Sequence, residues 1–205
     1  MKRFSDWGFE LVKHDYSTYD IFGCWGMNMG SELTCDGWHF SREDLTTAQV
    51  IKQFYQALRD AGKGLTIIGC NTVGHLAAGI FDIQRCGDDT SGRKWEVTRK
   101  MGPNTLAFRM PQHETFFAVD GDCVGLTRNV PWEKNRQWLD LLAQSGTPLF
   151  VSVEAAAIGK EQERALKEAF KHAGSFQIPG EPLDWCWNTC PSTWLLNGQK
   201  VEFDW

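Results

Sequence analysis

No apolar run in the chain approaches the roughly 18 residues that a membrane span requires. No lysine- and arginine-rich run marks a nucleic-acid face, and the net charge of -5 points the same way. The opening Met1-Lys2-Arg3-Phe4 leads into no signal-peptide core, so the expected compartment is the cytoplasm. Neither G-x-G-x-x-G nor G-x-x-x-x-G-K-[ST] occurs, which removes the usual phosphate cradles. G-x-S-x-G is missing as well, and none of the five histidines has an evident serine or cysteine partner. Seven cysteines, an odd number scattered through apolar segments, do not form a disulfide framework. Cys186 and Cys190 have no His or Cys cluster beside them to complete a zinc site. No metal and no cofactor are therefore expected.

What is present is an ordinary globular composition in 205 residues, 42% hydrophobic and 23% charged, enough for one domain with a sizeable core. Ten tryptophans are many for such a chain. Indole faces stack on the C–H surfaces of sugars, and they also fill cores and interfaces, so both uses stay open.

Short apolar runs at Phe9–His14, Leu65–Cys70, Asp82–Cys86, Thr115–Val119 and Pro148–Val153 read as strands. They are rich in Ile, Val and Phe with little strict alternation, as strands buried on both faces of a parallel sheet are. Helical stripes lie between them. Thr47–Asp60 follows an N-cap at Thr46, Pro131–Gln144 starts on a first-turn proline, and Lys160–Ala173 stops at Gly174. A single turn is expected after Gly74 and a longer helix over Lys94–Met101. Near the end, Asn197-Gly198 sits between two β-rich arms and predicts a type I′ hairpin within 191–205, a β appendage after a domain spanning 1–190. The class is α/β with parallel strands. Five units are too few for a closed (β/α)8 barrel of about 250 residues. An open doubly wound sheet and the later part of a barrel both remain.

Polar residues collect at the carboxyl ends of these strands: Lys13 and Asp15, Cys70 and Asn71, Arg85 with Asp88 and Asp89, Asp120 and Asp122, Ser152 and Glu154. Ligands bind at that end in both architectures. Any one of these residues has an ordinary explanation as a helix cap or structural ion pair. Carboxylates after three strands together with Lys and Arg suit glycoside cleavage, where one carboxylate attacks the sugar and another serves the departing oxygen.

Three stretches resemble the α-galactosidases of glycoside hydrolase families 27 and 36, the melibiase clan, and family 36 more closely. "LVKHDY" is similar to the strand-four Lys-x-Asp motif, which implies Asp15 as nucleophile and Lys13 as a substrate contact. "IIGCNTVGHLAAGIFDIQRCGDDT" is similar to the Gly-Cys stretch leading to Arg-x-x-x-Asp, whose spacing implies Asp89 as acid/base, with the adjacent Asp88 competing for that role. It also places Cys70, Arg85 and Asp88 near substrate. "AVDGDCVGL" is similar to the strand-seven Asp-x-Asp-Cys element and adds Asp120 and Asp122. The chain departs from the family at Asn71-Thr72-Val73-Gly74, where many bacterial members have a Gly-rich segment, and at Val153-Glu154, where an acidic pair is expected.

The resemblance implies a partial (β/α)8 TIM barrel, about strands four to eight, ending in the hairpin. The implied activity is retaining hydrolysis of α-galactoside oligosaccharides, with no nucleic-acid or membrane partner. Missing barrel strands or a homo-oligomer would cover the open sheet edges. The isolated chain is then expected to turn over poorly or not at all. A raffinose-synthase-like transglycosylase and a non-catalytic sugar-binding relic are the alternatives. A phosphate-handling open α/β enzyme is disfavoured by the absent cradle.

Overall fold

The computed structural model describes residues 1–16 and 39–205. Cys24 and Cys35 lie outside the described residues, and no disulfide involves Cys70, Cys186 or Cys190. The chain divides into two compact units, Met1–Arg85 and Cys86–Trp205.

The first unit contains α1 (Lys2–Asp6), β1 (Leu11–His14), α2 (Thr47–Ala61), β2 (Thr66–Gly69), a helical turn at Gly74–Leu76 and β3 (Ile83–Arg85). Helix α2 starts where Thr46 and Gln49 cap each other reciprocally and ends at Gly62. Its apolar stripe buries Ile51 and Tyr55 against Ile67, Ala77, Ile80 and Phe81. β1 pairs with β2 in parallel, from Leu11 opposite Thr66 to His14 opposite Gly69, and β2 pairs in parallel with β3. Arg59 fastens the helix to this sheet. Its guanidinium donates to the carbonyls of Ile80 and Leu65 and to Asp82, whose carboxylate also accepts the Ile67 N–H. One cation thus satisfies two loop carbonyls that burial would otherwise penalise.

The second unit contains α3 (Trp95–Arg99), α4 (Thr105–Arg109), β4 (Ala118–Asp120), β5 (Cys123–Leu126), α5 (Trp132–Gln144), β6 (Phe150–Val153) and α6 (Lys160–Ala173). Three short strands follow: β7 (Glu181–Pro182), β8 (Thr193–Leu196) and β9 (Gln199–Glu202). β5 and β6 are parallel, and β7, β8 and β9 form an antiparallel sheet. Leu139, Leu141 and Leu142 of α5 are fully buried with Val124 and Leu126 of β5 and Ala165 and Leu166 of α6. Trp138 closes this core. Its ring stands where a side chain at Gly102 would go and lies tight against Gly121, and its indole N–H donates to the Cys123 carbonyl.

Local signals place most elements within a residue or two. Lys160–Ala173 has its expected limits, and Asn197-Gly198 turns the β8–β9 hairpin with both residues at positive φ, 49° and 81°. Trp194 and Leu196 of that hairpin pack into the second unit's core.

Two expectations need correction. The strand expected over Thr115–Val119 forms only at Ala118–Asp120, and a further strand, β5, follows it. Between them Asp122 takes φ +68° and its N–H returns to the Asp120 carboxylate, a local turn that ends one strand and aims the next. The helix expected over Lys94–Met101 ends sooner, at Arg99, but the chain does not leave helical form. A π-helical turn over Lys100–Asn104 absorbs Pro103 and carries on into α4. The wider turn accommodates a proline that an α-helical interior would reject.

Candidate active site

Within the first unit, the site grows from the parallel register of β1 and β2. The Cys70 N–H donates to the His14 carbonyl at 2.9 Å, carrying the ladder one residue past the end of β2. That step sets Cys70 and Asn71 beside Asp15. The Asn71 amide Nδ2 donates to Asp15 Oδ1 at 2.6 Å, and the Lys13 ammonium stands 3.9 Å from Asp15 Oδ2. Lys13 and Asp15 share one side of the strand's end because residues two apart do so, and both are solvent-accessible.

Cys70 forms the floor, 1% exposed. The Arg85 Nη1 donates to its sulfur at 3.4 Å, and Asn71 Nδ2 lies 3.7 Å from the same atom. Burial pushes the Cys70 thiol up, and the opposing pull of the Arg85 and Lys13 cations is smaller, so it stays a protonated thiol at neutral pH. His14 points the other way, between Phe54 and Phe81, with ring centroids 5.8 Å from each. Burial holds it below the ordinary imidazole range, against a smaller upward pull from Asp15. The half-buried ring packs against these two aromatic side chains.

The second unit carries the other carboxylates. Asp88 and Asp89 are exposed on the turn that opens it, and Asp88 Oδ1 accepts the Asp89 N–H at 2.8 Å. Asp88 is therefore engaged in shaping the turn. A cavity of about 350 Å³ adjoins them, lined also by Ser91, Gly92, Arg93 and Lys94. The next residue, Thr90, is fully buried and ties the turn to the strands. Its N–H and hydroxyl both donate to Asp122 Oδ2, at 2.7 and 3.0 Å, and the hydroxyl lies 2.6 Å from the Cys123 carbonyl. Asp120 is 4% exposed; its carboxylate accepts the Asp122 N–H and its carbonyl accepts the Cys86 N–H. Asp120 and Asp122 thus organise the backbone that presents Asp89.

The structure gathers Lys13, Asp15, Cys70 and Arg85 into one cluster and sets Asp88, Asp89, Asp120 and Asp122 in a second. Asn71, collected with the polar residues at the strand ends but given no role there, joins the first. The signal was available: asparagine is the non-glycine residue best suited to left-handed backbone, and Asn71 has φ +48°. Among the described residues no three His, Cys, Asp or Glu side chains are grouped as a metal site. A carboxylate with a fixed amide and a nearby cation can act as an anionic nucleophile, and an exposed carboxyl beside a cavity can give or take a proton.

No protein-family model and no curated protein matches the chain. Solved structures do. Over 95% of its length the chain superposes on half of α-galactosidase I from Mortierella vinacea, with TM-score 0.60 and 13% identity. It covers 98% of its length on 38% of the Thermus thermophilus α-galactosidase complexed with p-nitrophenyl α-D-galactopyranoside, at TM-score 0.58 and 13% identity. It covers 88% on 41% of a family 27 β-L-arabinopyranosidase from Geobacillus stearothermophilus, at 0.59 and 16%. The chain spans half or less of these structures and shares their fold over that span, a mixed α/β arrangement with parallel strands. The likeness to these two α-galactosidases and the arabinopyranosidase is one of fold.

Proposed function

We propose that the chain contributes the later strands of a (β/α)8 glycosidase barrel, with β1 in the place of strand four, and that it carries a retaining, α-galactosidase-like chemistry. In this reading Asp15 attacks the anomeric carbon of a terminal α-galactoside. The glycosidic bond breaks as Asp89 protonates the departing oxygen. Asp89 then takes a proton from water, which opens the glycosyl–Asp15 ester and restores both carboxyl groups. Lys13 and Arg85 supply charge near the sugar and its hydroxyls. Retention requires the two reacting carboxyl groups about 5–5.5 Å apart in the working site, against about 6.5–9.5 Å for inversion. The observation that carries the proposal is the preorganised Lys13–Asp15–Asn71 group at the end of a parallel strand. A fold shared with α-galactosidases supports it.

Covalent trapping suits this chain because it needs one chemical event per molecule rather than turnover. Incubating the full chain with 2-deoxy-2-fluoro-α-galactosyl fluoride should add one glycosyl group, located on the Asp15 peptide by mass spectrometry. Asp15→Asn should abolish the adduct. Asp89→Ala should still be labelled, since fluoride departs without a proton donor, and azide should then release the sugar faster than water does. Sugar binding without any adduct would replace the hydrolase reading with a non-catalytic one.

A further inference from the structure

We infer that Asn71 is a positioning residue for Asp15, selecting which of the two carboxylate oxygens attacks. This rests on the reading of Asp15 as the nucleophile. A carboxylate only accepts hydrogen bonds, so the amide atom facing it must be the nitrogen, and the 2.6 Å contact to Oδ1 is a donation from Asn71. Lys13, at 3.9 Å from Oδ2, contributes charge but is too distant to hydrogen-bond that oxygen. Among the described residues the two oxygens are therefore inequivalent: Oδ1 takes the short Asn71 donation and Oδ2 faces the Lys13 charge, with the Cys70 thiol a further partner of the carboxylate, so Oδ2 is the oxygen assigned to the attack.

The anchor is built independently of Asp15. Asn71 adopts φ +48°, a conformation that costs most residues energy and asparagine less. Its turn is pinned from behind at two points. The Thr72 hydroxyl donates to Gln84 Oε1 at 2.9 Å, and Gln84, 3% exposed, is held in turn by donating to the Arg85 carbonyl. The Val73 N–H donates at 2.9 Å to the hydroxyl of Tyr55, which is fully buried in the core. Gly69, at the end of β2, has Gln84 and Phe81 packed where a side chain would stand. A backbone conformation this unusual, braced by buried groups and ending in one amide on one carboxylate oxygen, is a device for aiming that carboxylate.

The consequence runs through both chemical steps. As Oδ2 bonds to the anomeric carbon, the aglycone leaves with the electron pair of the broken glycosidic bond and the proton from Asp89. Oδ1 becomes the carbonyl oxygen of the new ester and keeps the Asn71 N–H. When water opens the ester, the electron pair of the C–Oδ2 bond returns to the carboxylate, again shared with Asn71. Because charge leaves Oδ1 as the ester forms, the donor does not lower that barrier electrostatically; it acts on the rate by holding Oδ2 in line with the anomeric carbon.

The test is the inactivation kinetics of the full chain with 2-deoxy-2-fluoro-α-galactosyl fluoride, resolved into a binding constant and a first-order labelling rate. Asn71→Gly removes the amide and keeps the backbone, because glycine is at ease at positive φ. Its labelling rate should fall about 10- to 100-fold with the binding constant within about threefold. Its thermal midpoint should stay at or above the native value. Asn71→Asp, similar in shape and also tolerant of left-handed backbone, sets a like charge against Asp15 and should suppress labelling further. An Asn71→Gly protein that labels at the native rate, or loses only binding, overturns the positioning role while Asp15 remains the nucleophile. A native chain with no adduct on Asp15 removes the nucleophile reading and this inference with it. Should Asn71→Gly fail to fold, native-rate labelling of Asn71→Asp overturns the inference, and suppressed labelling of that folded variant supports it.

Discussion

The two units present their carboxylates by different means. In Met1–Arg85 the carboxylate of Asp15 is held by other side chains, Asn71 at hydrogen-bond distance and Lys13 by charge. In Cys86–Trp205 it is the backbone around Asp89 that is held, through Thr90, Asp122 and the carboxylate of Asp88. The cores differ in the same sense. A small cluster around Ile51, Tyr55 and Ile67 supports the first unit, whereas the second builds on α5 and reaches from Leu106 to Phe203. A group held by side chains is aimed closely and is sensitive to single substitutions. A group carried on a braced turn depends instead on the backbone bonds that hold that turn.

The contrast can be broken or sharpened by substitution, the largest effect first. Trp138→Ala should cost about 3–5 kcal/mol in chemical denaturation, since it empties the centre of the second unit's core. A loss under about 1 kcal/mol would mean that α5 does not anchor that unit. Thr90→Val deletes a buried hydroxyl that joins the Asp89 turn to Asp122 and Cys123, for an expected loss of about 1–3 kcal/mol. The same variant should leave the rate of Asp15 labelling by the glycosyl fluoride within about threefold, because only the second unit's turn is altered. Equal damage to labelling would erase the distinction between the units. Thr46→Ala removes the N-cap of α2 and should lower stability by about 1 kcal/mol, read as a shift in the urea midpoint at constant slope.

Acid should act through two histidines, one in each unit. Burial holds His113 below the ordinary imidazole range against a smaller upward pull from Glu114, and its Nδ1 accepts the Val119 N–H at 3.1 Å, which a doubly protonated ring cannot do. His14 is lowered by burial in the same direction. The unfolded chain then binds more protons than the native one. Stability is complete above the ordinary histidine value of about 6.5 and declines as pH falls through the lower folded values. Thermal midpoints measured from pH 7.5 downward should fall in that window, and His113→Phe should flatten the decline. An unchanged slope in that variant would clear His113 of the effect.

Elements whose causes are local were legible in the residues. The stripe of Lys160–Ala173 ends where Gly174 ends it, the Thr46 cap opens α2, and Asn197-Gly198 turns the last hairpin. The motifs also marked Lys13, Asp15, Cys70 and Arg85, because strand ends announce themselves by a polar residue after an apolar run. What neighbouring residues could not show is where interactions across long stretches of chain decide. The helix expected over Lys94–Met101 gives way to a π-helical turn that runs on through Pro103, with Gly102 packed closely on Trp138. Asp120 and Asp122 stand out as carboxylates in the sequence, but only the fold shows that Asp122 also takes the Thr90 N–H and that Asp120 takes the Asp122 N–H. Asn71 reaches Asp15 across 56 positions of sequence. Periodicity, capping and turn chemistry act over a few residues and so leave their mark on the string of letters. A hydrogen bond between two distant turns exists only once the sheet register has brought them together, and the tertiary structure alone decides that.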